Sequence, residues 1–349
     1  SNFSGSAGLA IILKDKNYLF TDGRYTIQSE IESGKYFKIV SYEKIVNCNL
    51  FKNLKLGLDP KLFTHQQIKN YFLKNNKIKL YDNDKCPECG GALDTAEFSR
   101  VRISLGTHAV ATVIVENTTD TVLAEDLEIY LAPGSNLKFV TLQEFESKSV
   151  YTARHHAIID KDTTFKSITV TVGGDVVRIL PTVAFKAPGA SADLLGVYFA
   201  TAGQFFEHRN HVDHAVPHAK SNVNYKGALA GQDAHTVWIG DVLIRAVAEG
   251  TDTYELNRNL LLTDGARADS VPNLEIETGE IVGAGHASTT GRFDDEQLFY
   301  LMSRGITLEN ARRLVVRGFF NEIITEIGNE EVQERLMERI DGELERAGA

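Results

Sequence analysis

Three stretches of this 349-residue chain hold residue types that do chemistry. The densest is Glu207-His208-Arg209-Asn210-His211-Val212-Asp213-His214-Ala215-Val216-Pro217-His218, whose imidazoles would suit zinc or iron if they converged. Pro217 opposes a continuous helix presenting ligands at i and i+4. In an extended strand His208 and His214 share one face while His211 points to the other. Two readings follow, polar side chains laddering along a strand and capping its turn, or a metal contact through His208 and His214. The second stretch, Cys86-Pro87-Glu88-Cys89-Gly90-Gly91, offers Cys86 and Cys89 as two of the four ligands of a tetrahedral metal site. No second Cys-x-x-Cys exists, so zinc is not expected there and a linker carrying a cysteine pair is the simpler account. The third, Gly283-Ala284-Gly285-His286-Ala287-Ser288-Thr289-Thr290-Gly291, is rich in glycine and hydroxyls. It has neither the Lys nor the strand-to-helix setting of a phosphate loop. The chain contains no GxxxxGK(S/T), GxSxG or HExxH, and the expectation is that it is not an enzyme by itself.

The elements that must hold these residues change character along the chain. Leu9 to Leu13, Tyr18 to Phe20, Lys55 to Leu58 and Ile78 to Tyr81 read as strands, with a helix capped by Thr64 that puts Ile68, Tyr71 and Phe72 on one face. From about Leu105 to Ile281 short β-rich runs follow one another, among them Leu137 to Phe145, Val176 to Val183, Leu194 to Ala200 and Thr236 to Ile244. Similar turns separate them, as in Gly189-Ala190-Ser191-Ala192-Asp193, Gly231-Gln232-Asp233-Ala234 and Gly265-Ala266-Arg267-Ala268-Asp269. Short strands with recurring Gly/Asp turns predict stacked coils of a β-solenoid, with a β-sandwich as the competing architecture.

After Asp294-Asp295-Glu296 the pattern turns helical, with Leu298, Leu301 and Met302 on one face and Gly305 as a stop. Thr307 caps a longer helix whose Leu308, Ala311, Val315, Phe319, Ile323 and Ile327 form a stripe, and Gly328 ends it. A third helix places Val332, Leu336, Ile340 and Leu344 every four residues. The domain reading is therefore a small α/β segment over 1–83, a linker over 84–93, a β-helix core over 94–293 and a helical domain over 294–349.

Composition narrows the function classes. Hydrophobic residues make up 43% and charged residues 24%, which is ordinary for a folded chain. No run of about 18 apolar residues and no basic-then-apolar leader occurs, so neither a membrane span nor a secretory signal is expected. Three cysteines in so long a chain fit a reducing compartment, and the cytoplasm is the expected location. The net charge of -10 conceals 14 Lys and Arg against 8 Asp and Glu in residues 1–85, leaving 23 against 39 in the rest. The large acidic part is a poor nucleic-acid binder. Basic residues switch from 13 Lys and 1 Arg to 7 Lys and 16 Arg across residue 85, and Ala rises from 2 to 28. These shifts read as two segments of different origin, an apparent chimera.

Two resemblances sharpen the reading. Phe3-Ser4-Gly5-Ser6-Ala7-Gly8, Phe20-Thr21-Asp22-Gly23-Arg24-Tyr25 and Leu56-Gly57-Leu58-Asp59-Pro60 resemble part of the N-terminal domain of the creatinase and aminopeptidase P family, over about residues 1–83. That family's catalytic residues lie in a later domain that nothing here resembles, so a peptidase activity does not carry over. The opening at Ser1, without an initiator Met, implies a start partway into that domain.

From about residue 94 onward the chain resembles the SufB/SufD family of iron–sulfur cluster assembly scaffolds. The likeness rests on Val212-Asp213-His214-Ala215-Val216-Pro217-His218, Thr263-Asp264-Gly265-Ala266-Arg267-Ala268-Asp269-Ser270, Pro272-Asn273-Leu274-Glu275-Ile276, Gly285-His286-Ala287-Ser288-Thr289-Thr290-Gly291, Asp294-Asp295-Glu296-Gln297-Leu298-Phe299-Tyr300-Leu301-Met302-Ser303-Arg304-Gly305 and Ala311-Arg312-Arg313-Leu314-Val315-Val316-Arg317-Gly318-Phe319-Phe320. The resemblance implies a right-handed parallel β-helix followed by a short helical domain. SufB-type chains carry a cysteine inside the β-helix, whereas residues 90–349 contain none and Ala266 lies near its expected place, so the chain is SufD-like.

By resemblance His286 is the residue facing iron at the interface with SufB, although Ala284 stands where many SufD chains have a cysteine. Resemblance further implies a SufB–SufC–SufD complex, a transient iron–sulfur cluster at the SufB interface, a reduced flavin in the complex, and a homodimer when the chain is alone. The ABC-type ATPase SufC would dock on the C-terminal helices near Val315, Phe319 and Ile323. Two alternatives remain: a metal-dependent enzyme using residues 207–218, and a fusion of unrelated proteins without function.

Overall fold

A computed structural model of the chain describes residues 8–12, 17–21, 37–41, 55–57, 79–81, 96–145 and 148–347. The chain divides into two compact units, Ser1–Gly91 and Ala92–Ala349. In the first, β1 (Gly8–Ile12) and β2 (Asn17–Thr21) pair antiparallel and β3 (Lys38–Ser41) adds parallel to β2. There β4 (Lys55–Gly57) pairs parallel with β5 (Lys79–Tyr81). Four of these five strands coincide with predicted ones. The fifth, β3, has only Ile39 and Val40 between Lys38 and Ser41, too short a run for periodicity to register. The predicted helix after Thr64 and the Cys86–Cys89 pair lie outside the described residues.

The second unit opens with β6 (Ala96–Leu105), β7 (Val110–Asn117), β8 (Val122–Leu131), β9 (Asn136–Gln143), β10 (Val150–Ile159), β11 (Thr164–Thr171) and β12 (Val176–Phe185). It continues with β13 (Ser191–Ala200), β14 (Phe205–His214), β15 (Lys220–Leu229), β16 (His235–Ile244), β17 (Asp252–Leu261), β18 (Arg267–Ile276) and β19 (Gly283–Arg292). Even-numbered strands form one seven-stranded sheet and odd-numbered strands the other, and every neighbour is parallel. This is the predicted β-solenoid; a β-sandwich would pair its strands antiparallel. Rungs align without offset, so Val122, Val150 and Val176 share one column. The repeat varies between 26 residues (Val150 to Val176) and 32 (His235 to Arg267), and the variation is absorbed in loops. It also hides the repeat from any search for a fixed period.

The corners explain the recurring turn chemistry. His108, Gly134, Asp162, Gly189 and His218 all adopt left-handed backbone and stack, with the Gly134 amide donating to Lys161 O at 2.9 Å and the His218 amide to Glu249 O at 2.8 Å. Bulky residues alternate with glycine down this column. A Cβ on Gly189 would fall 2.1 Å from Asp162 Oδ1, so the small residue makes room for the side chain of the rung before it.

The two sheets differ in burial. Strands β10, β12, β14 and β16 alternate, with one face in the lumen and the other in solvent. Strands β9, β11, β13 and β15 are almost continuously buried, because their outer face is covered as well. The cover is α1 (Asp295–Ser303), α2 (Leu308–Ile324), a single 3-10 turn (Thr325–Ile327) and α3 (Glu330–Arg346). Asp294 caps α1, Thr307 caps α2 through Asn310 N, and left-handed Gly328 ends the second helical stretch, as predicted for Thr307 and Gly328.

Val316, Phe320, Ile323, Ile327, Leu336 and Ile340 pack on Val140, Val170, Val197 and Phe199. Ala311, Ile323 and Ile327 of the expected stripe are buried, whereas Leu308 is exposed and in the middle turns Val316 and Phe320 take the inward positions, leaving Val315 and Phe319 half-buried at the flank. An i, i+4 series drifts around a helix of 3.6 residues per turn, so spacing alone does not say which of two adjacent stripes meets the sheet.

Inside the lumen, neighbouring rungs exchange large and small residues. Gly196 faces Tyr225 across the β13–β15 ladder, and Gly227 faces Tyr198. A Cβ on Gly227 would fall 2.0 Å from Tyr198 Cε2 and 2.6 Å from Asn259 Oδ1. Gly227→Ala is expected to destabilise the solenoid by about 1–3 kcal/mol, read by chemical denaturation. An unchanged midpoint would contradict the ring-on-glycine packing.

Candidate functional site

The solenoid ends in two edge strands, β18 in one sheet and β19 in the other. Each presents a row of backbone N–H and C=O groups with no further strand to pair with among the described residues. The lumen-facing row of β19 follows from its register with β17, where Thr253, Glu255, Asn257 and Asn259 are buried inside. Their partners on β19 are Ala284, His286, Ser288 and Thr290. His286 therefore belongs to the interior column yet is exposed, because its rung is the last.

The row beneath is mostly satisfied. Thr253 Oγ1 lies 2.6 Å from Ser221 Oγ. Tyr198 donates to Asn259 Oδ1 at 2.6 Å and accepts from Asn257 Nδ2 at 3.0 Å. Asn259 Nδ2 reaches Asn257 Oδ1 at 2.7 Å and Thr290 Oγ1 at 3.4 Å, so a polar ladder runs from Tyr198 to the edge strand. Glu255 is the exception. It is fully buried, and neither carboxylate oxygen has a hydrogen-bond partner. Its Oε1 sits beside Gly240, where an added Cβ would be 2.7 Å away and 2.5 Å from the Trp238 ring. Burial, reinforced by the charge of Asp241, pushes its carboxyl up to about 8. Trp238 Nε1 and Ser270 Oγ, neighbours in the β16–β18 ladder, are buried without partners as well.

His208 and His214 do share one face of β14, as predicted, with His211 on the other. Both are enclosed in the lumen. His208 Nε2 lies 3.0 Å from Thr171 Oγ1, and its ring stacks on Tyr198 at 5.0 Å. Because the Thr171 hydroxyl donates to Gln143 Oε1 at 3.1 Å, it accepts from His208, which assigns the ring proton to Nε2. His214 Nε2 meets Ser221 Oγ at 2.9 Å, and its ring stacks on Phe185 at 4.6 Å. Burial lowers His208 to about 3 and His214 to about 4, so both are neutral. Six residues along a strand separate the two by roughly 20 Å, too far to share an ion. Among the described residues no three His, Cys, Asp or Glu side chains are gathered as a metal site.

On the helices, Ile323 is 1% exposed and belongs to the layer between α2 and the sheet. Phe319 packs against that layer, and Lys226 pins this turn to the sheet by donating to Phe319 O at 3.0 Å and pairing with Glu322 at 2.6 Å. The apolar surface open to a partner consists instead of Phe299, Tyr300 and Met302 on α1 with Leu308 and Leu314 on α2. Phe299 is 73% exposed and Leu314 49%. Of Leu298, Leu301 and Met302, expected on one face of α1, Leu298 is buried and Leu301 half-buried, while Met302 is exposed.

The sequence singles out His286 through its motif, whereas the buried, unpartnered Glu255 stands in Tyr254-Glu255-Leu256 without any motif around it. Only the ladder register, 31 residues on to His286, makes the two neighbours in one column.

Glu255 also gives a pH signature. A folded-state carboxyl raised from an ordinary 4.5 to about 8 keeps a proton that the unfolded chain releases, so stability is full below pH 4.5 and falls as pH rises to about 8. Glu255→Gln removes that dependence. Its unfolding free energy is expected to equal the parent's near pH 4.5 and to exceed it near pH 8, by a margin on the order of a few kcal/mol, read by chemical denaturation. Parallel pH curves for the two proteins would contradict an uncompensated buried carboxyl.

Residues 89–319 match the family described as SUF system FeS cluster assembly, SufBD core domain. The iron-sulfur cluster assembly SufBD family protein Rv1462 of Mycobacterium tuberculosis is 58% identical over 241 residues, covering 67% of this chain and 61% of that protein. The SufBD family protein ML0594 of Mycobacterium leprae is 53% identical over 253 residues, covering 71% and 64%. A second kind of relative, the SufBD family protein Rv1461 of Mycobacterium tuberculosis, is 28% identical over 209 residues, 60% of this chain and 24% of that protein. The chain thus spans under two thirds of the length of these relatives.

Proposed function

This chain belongs to the SufBD family of the SUF iron–sulfur cluster assembly system, and on that premise we propose that it is the SufD-like scaffold subunit of a SufB–SufC–SufD complex. The observation that carries the reading is the position of His286, an interior-column residue laid open on the last strand of the solenoid. Two unpaired sheet edges flank it, and a second solenoid that adds its own edge strands there would bring further ligands onto the same rung. Residues 90–349 contain no cysteine, so the solenoid and helices of this chain supply no thiolate, and a partner's cysteines would complete a cluster at this edge. The two levels of identity, 58% and 28%, fit a family with two branches, of which this chain follows the first. When the chain is alone, a second copy would occupy the same edges and give a homodimer. The complex is assigned to the cytoplasm; no described helix is long and apolar enough to cross a membrane.

In this reading ATP hydrolysis by SufC moves the two solenoids relative to each other and exposes the assembly site. The exposed group of Phe299, Tyr300, Met302, Leu308 and Leu314 suits docking of that ATPase, with Val315 at its border. Phe319 and Ile323, committed to the sheet, would act by holding α2 in place. The metal-enzyme alternative finds less support, since His208 and His214 have hydroxyl and aromatic partners and do not converge.

Two substitutions test the reading. His286→Ala is expected to leave the melting temperature and SufB–SufC association unchanged while abolishing cluster formation on the reconstituted complex; parental cluster yield would remove His286 from the site. Leu314→Glu is expected to weaken SufC binding at least about tenfold without loss of stability, by calorimetric titration. Parental affinity would move the ATPase surface elsewhere.

A further inference from the structure

The corners that follow β9, β11, β13 and β15 and the last turns of α3 border a cavity of about 570 Å³ within the second unit. That size lies within the roughly 300–1,000 Å³ of small-molecule sites. Its floor is made of small residues, Gly173, Ala202 and Gly231, one from each of three successive corners of the odd-numbered sheet. The backbone behind them is close-packed, since a Cβ on Gly173 would fall 2.0 Å from Phe145 O and one on Gly231 2.8 Å from Ala202 Cβ.

One wall is charged. Arg339, Glu343 and Arg346 stand at i, i+4 and i+7 of α3, on one face of the helix. Glu343 Oε1 accepts from Arg346 Nη2 at 2.6 Å and lies 3.3 Å from Arg339 Nε. Arg339 Nη2 also donates to Phe145 O at 3.3 Å, and Arg346 Nε to Gly342 O at 3.2 Å. Each guanidinium thus spends Nε and Nη2 on the protein, and neither Nη1 has a partner among the described residues. Gln204 spends its Oε1 on the amide and hydroxyl of Thr201, at 2.7 and 3.0 Å, which leaves its NH2 group as a further donor in the lining. Two cations against one buried carboxylate give the lining a net positive charge, and Glu144, next to Phe145 in the chain, is taken up by Arg335 at 2.9 Å. Holding α3 on the solenoid accounts for the contacts to Phe145 and Glu343. It does not account for two unspent guanidinium groups beside a floor kept clear of side chains.

We propose that this cavity binds a small organic anion, with its phosphate or carboxylate head on the Nη1 groups of Arg339 and Arg346 and its body on the floor of Gly173, Ala202 and Gly231. Both guanidiniums meet at one oxygen of Glu343, so a single head group reaches both. Oxyanions pair with guanidinium through charge-assisted hydrogen bonds, which are the strong ones. The apolar share of the lining, Phe145, Ala230 and Ala347, suits a ligand with a planar or short aliphatic body over a bare ion. The inference is independent of the role given to His286. Because the donors come from α3 and the floor from the corners, the ligand would tie the helical cover to the solenoid and raise the melting temperature.

Phenyl phosphate and benzoate are the probes, with inorganic phosphate as the bare head group, each titrated into the full chain by calorimetry. The parent is expected to bind one equivalent of phenyl phosphate or benzoate saturably, at least about tenfold more tightly than inorganic phosphate, and the tighter of the two identifies the head group. Arg346→Gln is expected to weaken that binding at least about tenfold, and Ala202→Phe, a substitution at an exposed corner, to block it. Glu343→Gln removes the competing carboxylate and is expected to tighten binding about threefold or more. The Arg346 side chain is 60% exposed, so its replacement is expected to leave the melting temperature of the unliganded chain unchanged, which separates lost binding from lost fold. No saturable binding by the parent, unchanged affinity in Arg346→Gln, or inorganic phosphate bound as tightly as the organic probes would overturn the site.

Discussion

Zero-offset parallel pairing is the constraint from which the rest of the second unit follows. Once each strand aligns residue for residue with the strand one rung away, every inward position becomes part of a column, and a side chain's neighbours are set by the columns on either side. Tyr198 is tolerated because Gly227 is its neighbour in register, and Asp162 because Gly189 follows it at the corner. Parallel ladders have no hairpins to fix them. Here the left-handed corners do that work, their amides bonding from rung to rung.

The same pairing makes the end of the stack chemically different from its middle. Some polar residues in the interior, such as His208 with Thr171 and Asn257 with Tyr198, find partners within two rungs, while the side chains of His155 and Asn210 are buried without one. At the last rung there is no next column, so His286 and the edge amides of β18 and β19 face outward while Glu255 is still enclosed. A solenoid that ends without a cap carries an aggregation hazard unless something pairs with it. In the proposed complex, partner docking would relieve that hazard and create the site in one step. The helices contribute by covering one outer face, which leaves the other sheet and the end of the stack accessible.

Much of this was legible in the sequence because local chemistry dictated it. The recurring turns at Gly189, Gly231 and Gly265 need left-handed backbone and mark corners. Thr307 and Gly328 act within one turn of the helices they bound. The shared face of His208 and His214 is a matter of strand parity alone. What escaped depends on contacts distant in sequence. Whether Val315 or Val316 meets the sheet depends on how α2 rotates against Val170 and Val197, which no spacing within the helix encodes. Glu255 reads as an ordinary strand acid until the ladder sets it inside, next to Gly240 and one rung from His286. The unequal repeat, 26 residues in one place and 32 in another, hides that register from a fixed-period search.

The central claim is that the open end and the helices make this chain one subunit of a heteromeric assembly. Native mass spectrometry of the full chain co-expressed with SufB and SufC tests it most directly. The account predicts a stable complex containing all three proteins, in which this chain contacts SufB through cross-links confined to β18 and β19. A chain that remains monomeric or pairs only with itself in the presence of SufB and SufC would contradict it.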